Sequence, residues 1–225
     1  MLKRLALLAA ALGLLTVPIT GTASAQPAGP GQTSTAATAP LKAAPPVSPA
    51  ALNALKGMKP LAPADVAKLM SKASGSTATP NLRTDGVYDH ITNNNSGQCL
   101  AVPGGSTDKG TGLIQWQCGG WADHYWSVQY QFTSGGWYWY HVVNGKSGQC
   151  LAVPGGSTDQ GTQVIQWPCG TYADHYWAFA SDRAGVTHIA NGKSGQCLAI
   201  PGASRDQGMK VIQWPCGTYA DHYWY

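Results

Sequence analysis

Three kinds of side chain able to do chemistry recur in this chain at fixed spacing. The cysteines fall as Cys99/Cys118, Cys150/Cys169 and Cys197/Cys216, each pair 19 residues apart. His90, His141 and His188 stand nine residues before the first cysteine of a pair, and His124, His175 and His222 stand six residues after the second. Each of the latter follows an aspartate: Asp123, Asp174 or Asp221. Such a set could ligate a metal, close disulfides, or pair Asp with His for proton transfer. The metal reading lacks a C-x-x-C or H-x-x-x-H clip, and an oxidising compartment would remove the thiolates. Six cysteines allow 15 connectivities. Pairing inside each copy (Cys99–Cys118, Cys150–Cys169, Cys197–Cys216) is the simplest that treats all three alike. Each closed loop is worth roughly 3 kcal/mol in the chain-entropy description. An Asp–His dyad is disfavoured, because neighbours on a strand point to opposite faces. The chain has no Glu at all, and catalytic sites seldom come in three equal copies. We therefore expect no enzyme, no catalytic residue, no metal and no cofactor.

These residues belong to a 31-residue block that occurs three times, at 96–126, 147–177 and 194–224. The second and third copies agree at 26 of 31 positions and the first and second at 25, so the chain is a repeat architecture. Each copy breaks into short pieces bounded by turn residues. In the first these are Val87–Thr92, Gln98–Val102, Leu113–Gln117 and His124–Tyr130, separated by runs such as Asn93-Asn94-Asn95-Ser96-Gly97 and Pro103-Gly104-Gly105-Ser106. Four strands in each of three copies predict an all-β fold, a β-trefoil with pseudo-three-fold symmetry; propellers typically use four or more blades. The repeats span about 86–136, 137–183 and 184–225.

The rest of the chain reads differently. All 21 aromatic residues lie between Tyr88 and Tyr225, so the core belongs there. Residues 1–25 read as a secretory signal, with Lys3 and Arg4 ahead of an apolar run from Leu5 to Leu15 and a small-residue site at Ala23-Ser24-Ala25; a retained anchor is the alternative. No later stretch could span a bilayer. Residues 26–85 form an Ala/Pro-rich arm, expected to be largely disordered, a linker or propeptide. Two short helices are foreseen inside it, one after Ser48-Pro49 with Leu52, Leu55 and Gly57 as its stop, the other after Pro63 with Val66, Leu69 and Met70 on one face. The formal charge is +4 over residues 26–85 and −2 over 86–225. The folded part thus lacks the basic patch that nucleic-acid binding needs.

The run S-G-x-C-L-x-V, the Q-W-x-C and the terminal tryptophan, three times in register, resemble the ricin-type β-trefoil lectins, and in particular modules appended to secreted actinobacterial glycosidases. The resemblance covers residues 86–225. It implies a carbohydrate-binding domain with a disulfide in each repeat. In that family an Asp two residues after the first cysteine takes sugar hydroxyls and a nearby ring stacks on the pyranose. Here that position holds Ala101, Ala152 and Ala199, while Asp123, Asp174 and Asp221 stand where Asn is usual.

If Trp126 faces the core, alternation turns His124 inward and Asp123 and Tyr125 outward. The contact candidates are accordingly Asp123, Asp174 and Asp221, with Tyr125, Tyr176 and Tyr223. Trp116, Trp167 and Trp214 are stacking candidates by family position, although Ile114 shares the face of Trp116 and would prefer the core. Trp121, Tyr172 and Tyr219 are alternative platforms. The aspartates could equally cap turns, which is the plainer reading of Asp108, Asp159 and Asp206. The expected protein is a secreted, monomeric, multivalent binder of a glycan or polysaccharide, with no nucleic-acid partner and no membrane insertion. A separate secreted enzyme could dock on the arm. The alternative is a protease inhibitor or structural module on the same fold, for which the symmetry-breaking segment Tyr130–Tyr140 is the distinctive loop.

Overall fold

A computed structural model of the chain describes residues 47–73 and 87–225. The signal segment expected over residues 1–25 and the remainder of the arm lie outside the described residues. No helix among the described residues is long and apolar enough to cross a membrane.

The three copies build a β-trefoil. The first repeat contributes β2 (Asp89–His90), β3 (Cys99–Ala101), β4 (Ile114–Trp116) and β5 (Tyr125–Ser134). The second contributes β6 (Trp137–Asn144), β7 (Cys150–Ala152), β8 (Ile165–Trp167) and β9 (Trp177–Ser181), and the third β10 (His188–Asn191), β11 (Cys197–Ala199) and β12 (Ile212–Trp214). The twelfth position is held by Trp224, which bridges Asn93 and Thr187 without extending into a strand. Neighbouring strands pair antiparallel, and Leu100 faces Gln115 while Cys99 faces Trp116 and Ala101 faces Ile114. Cross-strand partners share a face, so Leu100 and Gln115 point inward and the other four point away. The core repeats in layers: Leu100, Leu151 and Leu198, then Trp126, Trp177 and Trp224, all fully buried. Each of these tryptophans donates its indole N–H to the leucine carbonyl of its own repeat, at 2.8, 2.9 and 3.1 Å. The disulfides are Cys99–Cys118, Cys150–Cys169 and Cys197–Cys216, with Cα separations of 5.0, 4.9 and 5.0 Å.

A buried glutamine in each repeat joins it to another. Gln115 Nε2 donates to the carbonyls of Ser204 and Asp206, both at 3.0 Å. Gln166 donates to Ser106 and Asp108, and Gln213 to Ser157 and Asp159. The first repeat thus leans on the third, the second on the first, and the third on the second. Each amide oxygen also accepts from a serine hydroxyl of its own repeat at 2.8 Å, so the buried amides are satisfied.

The described part of the arm packs on this body. Helix α1 (Pro49–Ala54) is capped by Ser48, whose Oγ accepts from the Ala51 N–H at 3.0 Å and donates to the Lys193 carbonyl. Ala51 and Leu55 are fully buried against a cluster containing Trp137, Trp139 and Tyr176. Strand β1 (Lys59–Pro60) pairs with β9. Helix α2 (Pro63–Ala73) sends Val66 and Met70 into the main core, with Leu69 half-buried beside them. The hairpin of β5 and β6 that includes Tyr130–Tyr140 packs partly on the arm: Tyr140 OH donates to the Leu61 carbonyl at 2.9 Å.

Candidate functional site

Each Ala-Asp-His triplet lies not on a strand but on a single 3₁₀ turn, at Ala122–His124, Ala173–His175 and Ala220–His222. This corrects the strand alternation expected for these residues. Aspartate and histidine are not on opposite faces: His124 Nε2 lies 3.6 Å from Asp123 Oδ2, His175 Nε2 3.5 Å from Asp174 Oδ2, and His222 Nε2 3.6 Å from Asp221 Oδ2. Asp123 and Asp221 are buried, at 7% and 4% exposure, and Asp174 is half-buried. The turns are pinned from the following repeat by buried asparagine amides. Asn144 donates to the Asp123 carbonyl, Asn191 to Asp174 and Asn93 to Asp221, each at 2.8 Å.

In the first repeat the pair lines a depression of about 410 Å³ whose walls include Ala101, Ile114, Trp116, Trp121 and Lys146, with Pro103-Gly104-Gly105 on one edge. The third repeat has the counterpart, about 440 Å³, lined by Ala199, Ile212, Trp214, Tyr219, Asp221 and His222. Trp116, Trp167 and Trp214 are 38%, 37% and 38% exposed, and so are not core residues. Ile114 turns outward with Trp116, and the polar Gln115 between them is the buried one. One edge of each indole rests on a glycine of another repeat: a β-carbon on Gly110 would lie 3.5 Å from Trp167 Cζ3, on Gly161 3.6 Å from Trp214, and on Gly208 3.5 Å from Trp116. Trp121, Tyr172 and Tyr219 stand still further out, at 60%, 68% and 71% exposure.

The tyrosines of the same motif do something else. Tyr176 and Tyr223 are buried and Tyr125 is half-buried. They pack on the first histidine of their repeat: Tyr125 on His90 with centroids 4.4 Å apart, Tyr176 on His141 at 4.7 Å, Tyr223 on His188 at 4.2 Å. The outward orientation expected by alternation does not hold for Tyr176 and Tyr223, which are buried, because the 3₁₀ turn ahead of them shifts the phase. His90 and His141 in turn bond the Gly119 and Gly170 carbonyls at 3.1 and 3.2 Å, holding the loops that carry Trp121 and Tyr172. Asp108, Asp159 and Asp206 are turn residues whose carbonyls serve the buried glutamines described above.

Burial sets the electrostatics. It pushes the imidazoles of His124, His175 and His222 below their ordinary range, against the opposing pull of Asp123, Asp174 and Asp221. All three are therefore uncharged at neutral pH. Burial raises the Asp174 carboxyl, opposed by His175 and Lys193. In the second repeat the Gly170 N–H donates to His175 Nδ1 at 3.0 Å, whereas Nδ1 of His124 and of His222 is buried without a protein partner. His90 with Cys99–Cys118, and His141 with Cys150–Cys169, bring metal-type atoms together. Their sulfurs are spent in disulfides, which leaves one imidazole each and no zinc set.

The first and third repeats therefore set a carboxylate acceptor, an imidazole and an outward indole around one depression, and the second carries the same residue types in Asp174, His175 and Trp167. A pyranose presents the matching pair of surfaces, hydroxyls at its edge and C–H groups on its face. The family model described as the ricin-type β-trefoil lectin domain matches residues 87–224. The chain belongs to this family. Among solved structures, this lectin-family chain is similar to the designed three-fold symmetric protein ThreeFoil, at 27% identity over 61% of this chain and 94% of that one, with a TM-score of 0.57. It is similar to an exo-β-1,3-galactanase from Clostridium thermocellum at 25% identity, over 66% of this chain but only 31% of that one, with a TM-score of 0.57. A ricin B-like lectin from Macrolepiota procera, in complex with lactose, shares the fold at 18% identity over 61% of this chain and 91% of that one, TM-score 0.51. No curated protein matches. Of the candidates read from the sequence, Asp123, Asp221, Trp116 and Trp214 line these depressions; their histidines and Lys146 were not among them, although the run N-G-K-S-G-Q-C at 144–150 recurs at 191–197 and could have marked the lysine.

Proposed function

We propose that the chain is an exported, monomeric carbohydrate-binding protein that holds a glycan or polysaccharide at up to three pockets and does no catalysis. One observation carries this reading: a carboxylate, an imidazole and an exposed indole line one depression in the first and third repeats, and the second repeat carries the same residue types at the same positions. Three weak sites on one rigid body gain strongly on a polymer when geometry allows simultaneous contact. Export is supported by the charged and apolar start of the sequence and by three disulfides, which persist in oxidising compartments.

The Asp–His pair is adjacent after all, but the first and third pockets are lined by one carboxylate each and by no serine, threonine or free thiol. Glycoside hydrolysis in its common form needs two carboxyl groups across the scissile bond. The inhibitor reading loses support as well, since the hairpin with Tyr130–Tyr140 has Trp139 fully buried and rests partly on the arm. Docking of a separate enzyme through α1 or α2 would have to compete with the buried faces of Leu55, Val66 and Met70.

Affinity electrophoresis against a panel of soluble polysaccharides, with Asp123→Asn, Asp174→Asn and Asp221→Asn made singly and together, tests the reading. Stepwise loss of retardation is expected. A triple variant retarded like the parent would remove these carboxylates from the site.

A further inference from the structure

The three copies of the site differ along one edge, and the differences are correlated. Lys146 reaches the first pocket from the turn between β6 and β7, and its ammonium lies directly over Gly105, where a β-carbon would collide with it. Lys193 is its counterpart in the second repeat. Its stem passes 4.0 Å from where a β-carbon on Gly156 would stand, and its charge favours the ionised form of Asp174. In the third pocket the lysine position is Asn95 and the glycine position is Ala203, which adopts φ 52. A left-handed alanine costs roughly 1–2 kcal/mol, and its methyl fills the seat that the ammonium uses over Gly105.

A cation nonetheless returns at that edge. Arg205 replaces Thr107 and Thr158 of the other copies, and its Nη2 donates to Asn95 Oδ1 at 3.4 Å while Asn95 Nδ2 donates to the Ala203 carbonyl at 2.7 Å. A fourth cation, Lys109, lies 5.5 Å from the centroid of Trp167. So four of the six Lys and Arg residues between 86 and 225 stand at these rims, in a part of the chain whose net charge is −2. Lys146, Lys193 and Arg205 form no ion pair among the described residues. A charge kept near this edge by two different routes, through Lys146 over Gly105 and through Arg205 on the Asn95 that bonds Ala203, has the chemistry to hold an anion carried on a sugar ring.

We propose that each pocket selects a negatively charged pyranose, bearing a carboxylate or a sulfate ester at C6, and that Lys146, Lys193 and Arg205 are the residues that select it. This rests on the carbohydrate-binding reading above. The C6 substituent and the C4 hydroxyl are neighbours on one edge of a pyranose, as Lys146 Nζ and Asp123 Oδ1 are neighbours over Gly105. The aspartate takes the hydroxyl, and the cation beside it takes the anion.

The test is a glycan array carrying each backbone in four forms: neutral, C6 uronate, uronate methyl ester and C6 sulfate. It is read with the parent chain, with Lys146→Met/Lys193→Met/Arg205→Thr, and with Asp123→Asn/Asp174→Asn/Asp221→Asn. The parent is expected to prefer a charged form by about two- to fivefold per site, to lose the preference on esterification, and to lose it as salt is raised. Uronate against sulfate in the same panel identifies which anion is meant. In the cation variant the ratio of charged to neutral binding should fall to about one, and Lys146→Arg/Lys193→Arg should retain the preference. Equal binding of neutral and charged forms by the parent overturns the inference and leaves the carbohydrate-binding reading standing. So does loss of neutral and charged forms alike in the cation variant, which would mean that the cations only neutralise the aspartates. A parent chain that binds no glycan overturns both readings.

Discussion

Asn144 Nδ2 donates to the Asp123 carbonyl at 2.8 Å, so the first site is held in place by the first strand of the second repeat. The same side chain accepts from the Lys146 N–H at 3.0 Å and the Ser147 N–H at 3.2 Å, which sets the turn that aims Lys146 at the pocket. One buried amide thus positions both the carboxylate and the cation of a site that lies largely in another repeat.

Asn144→Ala should accordingly destabilise the fold by about 1–3 kcal/mol, because it leaves a buried carbonyl and two N–H groups without this partner. Urea unfolding measures that cost. Glycan binding should fall at the first site while the second and third persist, so affinity for a polymer should drop more than affinity for a monosaccharide unit.

Trp116→Ala, Trp167→Ala and Trp214→Ala should act in the opposite sense. These rings are over a third exposed, so thermal stability should change little, while sugar binding at the altered site should fall about five- to tenfold. Isothermal titration with a single-site ligand, made on variants that keep one tryptophan at a time, reads this directly. A variant whose melting temperature collapses would return the indole to a structural role.

The arm can be tested with three equivalent glycines. Gly97, Gly148 and Gly195 all have φ near +70°, at 68°, 67° and 72°. A β-carbon on Gly195 would lie 2.8 Å from the Ala50 carbonyl oxygen and from Ala51 Cα, whereas nothing lies within 4 Å at Gly97 or Gly148. Alanine at each pays the same left-handed penalty, but at Gly195 it must also push α1 away. Gly195→Ala should therefore cost about 1–3 kcal/mol more than the other two, and limited proteolysis should cut near residues 47–58 in that variant alone. Leu55→Ala, which opens a cavity under α1, should cost about 2–5 kcal/mol.

Acid should loosen the fold through the histidines. Burial lowers the His141 pKa to about 4, and it lowers those of His124, His175, His188 and His222 as well. Above about pH 6.5 these rings are neutral whether folded or unfolded, so stability is fully present there. Below it the unfolded chain takes up protons that the folded chain refuses, and stability falls, for His141 until about pH 4. Melting temperatures should drop across that window, and His141→Gln should flatten the slope. A profile unchanged by His141→Gln would place the acid sensitivity elsewhere.

The repeat count and the three disulfides were legible in the sequence because identity across three copies is itself a signal, whereas the outward tryptophans rested on family position alone, since Ile114 on the same face favoured the core. The pairing of Asp123 with His124 was not. Alternation predicts opposite faces for neighbours, and nothing in A-D-H marks the one 3₁₀ turn that puts them on the same side. The burial of Gln115 was hidden for a related reason: nothing in Ile114-Gln115-Trp116 marks the polar residue as the inward one, because the carbonyls that receive it, of Ser204 and Asp206, lie some 90 residues away. The arm showed its helices through Pro49, Pro63 and the spacing of Val66 and Met70. The surface they cover could not be read, since it is assembled from strands in all three repeats.

The glutamine ring has a consequence for how such a protein is lost. Each copy hands its buried amide to another and receives one in return, so no copy is self-sufficient. A nick that frees one repeat strands two junctions at once: the departing glutamine loses its carbonyls, and a remaining glutamine keeps its amide but finds no acceptor. Degradation in a protease-rich environment should consequently run without long-lived one- or two-copy remnants, and the binder should disappear as a unit with its valency intact to the end.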